Sequence, residues 1–177
     1  MKPLNYRSVS ARWLVVLGSV AMVVGAIDPM EGSVGILIGS GLVALGTFLG
    51  QSEPRLVRYR TLVLGLIAVG VGALWGLSWA GGCGGNSGHS MWWSLLVLPY
   101  LIGWSMGMWG PGSPRWLLLL GILAGLWYVT ILAMCLKGSG GHRGAMMIMP
   151  AVVIGATGLV TIGGCISKLR THVPGRQ

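Results

Sequence analysis

The chain has 177 residues, of which 54% are hydrophobic and only 8% charged, and it carries a formal net charge of +9. Soluble domains carry about 25% charged residues, so this composition cannot clothe a water-facing surface, and it excludes an ordinary soluble globule. Apolar runs of about 20 residues, each long enough as a helix to cross a hydrocarbon layer about 30 Å thick, point to lipid as the solvent.

Six such runs follow one another: Ala11 to Pro29, Gly32 to Gly50, Arg60 to Ala80, Met91 to Trp109, Arg115 to Leu136 and Met146 to Ser167. They are continuously apolar, whereas strands of a membrane barrel alternate every second residue. The fold class expected is therefore all-α: a polytopic integral membrane protein with six transmembrane helices in three consecutive hairpins. One membrane domain spans residues 1–177, with hairpins at about 11–50, 60–109 and 115–167 and short tails at 1–10 and 168–177. The opening resembles a cleavable signal, but Gly25-Ala26-Ile27 ends in a bulky residue where a small one is needed, so an uncleaved first helix is expected. Pro99 interrupts the fourth run, removing a backbone donor and freeing the carbonyl of Leu95. A packing kink outweighs a substrate site there, although Ser94, Tyr100 and Ser105 are close enough in sequence to line a small polar cavity. Pro150 falls in the first turns of the sixth helix, where proline is tolerated.

Three pieces of the chain resemble one another. VLGSVAMVVGAI from Val16 and VLGLIAVGVGAL from Val63 agree at seven of twelve positions, and LLGILAGLWYVT from Leu119 keeps Leu120, Gly121 and Ala124 of the pattern. The second offset runs on without a gap, laying GCGGNSGHSM from Gly82 on GSGGHRGAMM from Gly138. Compositional bias supplies part of this likeness. The remainder reads as one hairpin copied twice, giving parallel repeats rather than the inverted ones of many transporters.

The charge is sorted. Lys2, Arg7, Arg12, Arg55, Arg58, Arg60, Arg115, Lys168, Arg170 and Arg176 fall on one side of six alternating helices. Lys137 and Arg143 balance Asp28 and Glu31 on the other. Basic residues in short loops stay cytoplasmic, so both termini are expected in the cytoplasm, with a bacterial inner membrane as the location. The net charge is then a topology signal, and no nucleic-acid partner is implied. Trp75, Trp79, Trp92 and Trp93 gather near the outer boundary, and Trp13, Tyr59, Trp109 and Trp116 near the inner one, as interfacial belts do. Trp104, Trp127 and Tyr100 lie deeper and are expected to fill helix contacts. The 32 glycines include Gly35, Gly39, Gly46 and Gly50, which share one face of the second helix within about 60°, so another helix is expected against that face.

Chemistry has little to work with. The carboxylates are Asp28, Glu31 and Glu53, none at mid-membrane. Asp28-Pro29 reads as a turn, available to pair with Lys137 or Arg143, in preference to a proton or cation access site. The Gly-rich outer loops lack the Gly-Lys-Ser/Thr of a phosphate cradle. Met30, Met91, Met134, Met146, Met147, Met149, Cys83, Cys135, His89 and His142 gather toward the outer side, a donor set suited to Cu(I). Their spacing matches no metal motif, and methionine is also an adaptable filler. Haem between His89 and His142 lacks the CxxCH attachment, and His172 sits in a solvated tail. A disulfide between Cys83 and Cys135 would join the second and third hairpins, while Cys165, near the cytoplasmic face, should stay reduced. No catalytic, cofactor-binding or metal residue is assigned, and no cofactor is expected. The expectation is a non-catalytic scaffold or accessory subunit, in contact with the lipid bilayer and with other membrane-protein helices or further copies of itself. The alternative is a small-solute or soft-metal permease.

Overall fold

The computed structural model describes residues 6–28, 31–81, 91–111, 113–137 and 142–171, and every regular element among them is helical. In chain order these are α1 (Tyr6–Gly25), α2 (Ser33–Leu49), α3 (Pro54–Trp79), a 3₁₀ segment (Met91–Val97), α4 (Leu98–Trp109), α5 (Arg115–Lys137) and α6 (His142–Thr171). Each lies on one of the six apolar runs. Helix α3 and the stretches Arg115–Met134 and Val152–Arg170 are long and apolar enough to cross a membrane, while Val9–Gly25, Ser33–Leu49 and Leu95–Trp109 are shorter apolar helices. The molecule is a helical membrane protein.

Helix ends follow local chemistry. Pro54 opens α3 in its first turn, where its missing N–H is no loss. Helix α2 closes with Gln51 at φ 51°, a left-handed residue usually filled by glycine. That turn lets Gln51 N–H reach Phe48 O at 3.3 Å and Ser52 N–H reach Thr47 O at 3.3 Å, covering two carbonyls the helix cannot. Helix α3 closes in the same way through Gly81 at φ 89°.

Pro99 does not kink a continuous helix. It lies in the first turn of α4, and the residues before it are wound as 3₁₀. Proline cannot donate, and its ring crowds the carbonyl four residues back; the tighter upstream winding resolves both problems. The 3₁₀ segment and α4 together cover Met91–Trp109, the extent expected from the sequence.

The helices pack as consecutive pairs, α1 with α2, α3 with α4 and α5 with α6. Contacts between pairs join α2 to α3, α4 to α6 and α5 back to α1. The order α1–α2–α3–α4–α6–α5 therefore closes on itself. Helix α4 also touches α5, and its Trp104 reaches α1, so it occupies the middle of the circuit.

Glycine sets the closeness of the first pair. A Cβ placed on Gly18 would strike the backbone of Gly39, one on Gly39 would stand 2.6 Å from Gly18 O, and one on Gly25 would stand 2.6 Å from Gly32 O. One on Gly46 would meet Ala11 O at 2.8 Å. The pairs Ala11/Gly46, Gly18/Gly39 and Gly25/Gly32 step by seven residues along each helix, the spacing at which antiparallel helices keep one seam together. The expected glycine face of α2 is thus met by α1 at Gly39, Gly46 and Gly50. Gly35 departs from it, with no atom within 4 Å of its Cβ position, because four-residue spacing drifts off the seam.

The aligned glycines of the internal likeness do different jobs. Gly18 and Gly25 are pressed against α2, whereas their counterparts Gly65 and Gly72 in α3 face open space.

Candidate functional site

The polar side chains that link helices converge on α4. Tyr100, Trp104, Ser105 and Met108 lie within its 12 residues and are all buried, because α4 is hemmed in by α3, α5, α6 and α1. Trp104, only 1% exposed, donates its indole N–H to Met22 O of α1 at 3.2 Å. Met22 lies in the last turn of α1, whose carbonyls lack intrahelical donors; the N–H of Ala26 turns to Val23 O instead. Trp104 therefore caps a neighbouring helix. Its ring packs on Tyr128 of α5 with centroids 5.3 Å apart, and Tyr100 lies within electrostatic reach of both Tyr128 and Asp28.

The same device recurs at the C-terminal end of α4. Arg60 of α3, 5% exposed, donates through Nη1 to Gly107 O at 3.1 Å and through Nη2 to Pro111 O at 3.2 Å. Tyr59 donates to Met106 O at 2.7 Å, its ring lying where a side chain on Gly110 would stand. A cation at a helix C-terminus meets the negative end of the dipole as well as its unpaired carbonyls. Arg60 Nε, Trp109 Nε1 and Ser113 Oγ, all buried at this end, have no hydrogen-bond partner among the described residues. Between the two caps, Thr161 of α6 is placed to donate to Ser105 Oγ at 2.9 Å or to Thr157 O at 2.8 Å.

The arrangement fastens helices. Tyr59, Arg60 and Trp104 all aim their donors at main-chain carbonyls of a neighbouring segment, and Thr161 reaches a side-chain hydroxyl.

The sequence-derived candidates fare unevenly. Asp28 does sit in a turn, accepting from Glu31 N–H at 3.2 Å. Trp104 and Tyr100 fill the interior as expected, but Trp127 is 50% exposed and faces outward. The buried aromatic is its neighbour Tyr128, which sequence reasoning passed over. Trp13, Trp75, Trp79 and Trp93 are exposed, as a belt requires; Tyr59 is part-buried in the Arg60 cap, and Trp109 packs on Gly164. Arg60, counted with the loop cations, is a core residue. Its signal was its phase: it lies three residues before Val63 and seven before Ile67, on the stripe of α3 that is buried.

Cys165 is buried and free. Met134 is exposed. Cys83, His89, Met30, His172 and the second outer loop lie outside the described residues, as do the side chains of Met91, Cys135, His142, Arg143, Met146, Met147 and Met149. Among the described residues no three His, Cys, Asp or Glu side chains group as metal ligands. The hollow beside Pro99 is walled mainly by Leu62, Leu66 and Val69 and opens outward.

No family model, curated protein or solved structure matches the chain.

Proposed function

We propose that the protein is a non-catalytic scaffold or accessory subunit of a membrane assembly, crossing the bilayer six times with both termini in the cytoplasm. The observation that carries the reading is the filled centre of the helix circuit. Trp104, Tyr100 and Tyr128, each at most 2% exposed, occupy the place where a permease would need a path, and the donors around them fasten backbones. The positions of Arg12, Arg55, Arg58 and Arg115 at one end of their helices agree with the cytoplasmic assignment. Outward, Gly72 and Gly76 leave a smooth strip on α3, and in lipid such strips let a neighbouring helix approach closely.

The test is extraction from native membranes in polymer-bounded lipid discs after mild cross-linking. A complex of fixed stoichiometry, recurring across preparations, is expected. If the chain instead runs alone and drives Cu(I) or small-solute flux in proteoliposomes, the permease reading replaces this one.

A further inference from the structure

Helix α3, with Pro99 at the start of α4, borders an open groove of about 620 Å³, lined among others by Arg58, Thr61, Leu62, Gly65 and Val69. From the geometry of this groove we infer a binding site for one anionic phospholipid, its phosphate against Arg58 and an acyl chain along α3.

Length is the first reason. Arg58 to Val69 is eleven helical steps, about 16 Å, close to half of a hydrocarbon layer about 30 Å thick. The groove is thus as long as one leaflet is deep. Shape is the second. No atom lies within 4 Å of a Cβ on Gly65, so the floor dips midway between Leu62 and Val69, both exposed. Thr61 donates its hydroxyl to Val57 O at 3.0 Å, which leaves the wall apolar as far as Arg58.

Charge selects the occupant. A second copy related by an axis along the membrane normal would set Arg58 at the same depth as its twin, and like charges facing each other repel. A plain apolar helix would fill the trough but offer the guanidinium at its mouth no anion to bind. A phospholipid meets both needs at once: its phosphate matches the guanidinium fork, and its chain fills the trough.

The full chain is reconstituted in nanodiscs with equal parts phosphatidylcholine and phosphatidylglycerol, and retained lipids are counted by native mass spectrometry. The wild type should hold one phosphatidylglycerol with a preference of about fivefold, the factor a single cation near an anionic surface carries. Arg58→Gln should abolish the headgroup preference. Gly65→Leu, whose Cβ would have no atom within 4 Å and whose branch would fill the trough, should abolish retention of either lipid. Arg170→Gln removes an exposed cation from α6, which forms no wall of the groove, and should change neither. The site is refuted if Arg58→Gln behaves like Arg170→Gln, or if Gly65→Leu keeps its lipid. It is equally refuted if the wild type is a lipid-free dimer that Gly65→Leu splits into monomers.

Discussion

Between α1 and α2 the main chains themselves meet, at Gly18/Gly39 and Gly25/Gly32, and the hydroxyls of Ser19, Ser40 and Thr47 along the pair turn back to carbonyls of their own helices. Around α4 the reverse holds: large side chains intervene, and Arg60, Tyr59, Trp104 and Thr161 reach across to neighbouring helices. Lipid gives helices no hydrophobic reason to associate, so contact must come from close packing or from polar links. The first pair is dominated by close backbone packing, while the α4 region combines packing with polar links. A seam of touching backbones has no room to yield, whereas a set of separate polar bonds can lose one member and keep the rest.

That difference ranks the outcomes of substitution. Gly39→Leu should be the most damaging, at about 3 kcal/mol, because the added carbons meet backbone that cannot move aside. Gly72→Leu, at a position open to lipid, should be near neutral, and unfolding in mixed micelles compares the two. If they prove equal, the seam is not what holds the first pair. Arg60→Met should come next, at about 2 kcal/mol, through loss of two charge-assisted bonds to carbonyls at the end of α4. Arg60→Lys should recover only part of this, since an ammonium does not span two carbonyls as a guanidinium does; the same assay, with hydrogen exchange at the end of α4, reads it. Thr161→Val should cost least, about 0.6 kcal/mol. A larger loss there would mean that the hydroxyls between α4 and α6 act together, and would narrow the contrast between the two regions.

The helices themselves were plain in the sequence. An apolar run bounded by charge or by glycine and proline has few alternatives in lipid, which is why Met91–Trp109 was found to the residue even though its winding was not. The seam was also on view, since Ala11, Gly18, Gly25, Gly32, Gly39 and Gly46 form an unbroken step of seven. Spacing by four hid it, because glycine is common enough to produce such pairs by chance. Inside and outside were harder to tell apart. Trp127 and Tyr128 are adjacent and both aromatic, yet one faces out and the other is sealed in. A lipid-facing surface is as apolar as a core, so residue type does not separate them. The closing of α5 onto α1 joins elements far apart along the chain, Tyr6–Gly25 and Arg115–Lys137, and no local pattern carries that. Arg60 illustrates the remaining difficulty: a basic residue at a helix start serves equally as a topology marker and as a cap, and only its phase on α3 distinguishes the two.

The seven residues from Met91 to Val97 have a mechanical consequence. A 3₁₀ turn rises about 2.0 Å per residue against about 1.5 Å for an α-helix, so this stretch reaches about 3.5 Å farther than the same residues wound as α. Pro99 disfavours the α alternative, so this added length stands ahead of Trp104 and the carbonyl partners of Arg60, which all lie beyond Pro99. The fixed winding thus adds, ahead of the packed centre, a length comparable to the differences in thickness between natural bilayers.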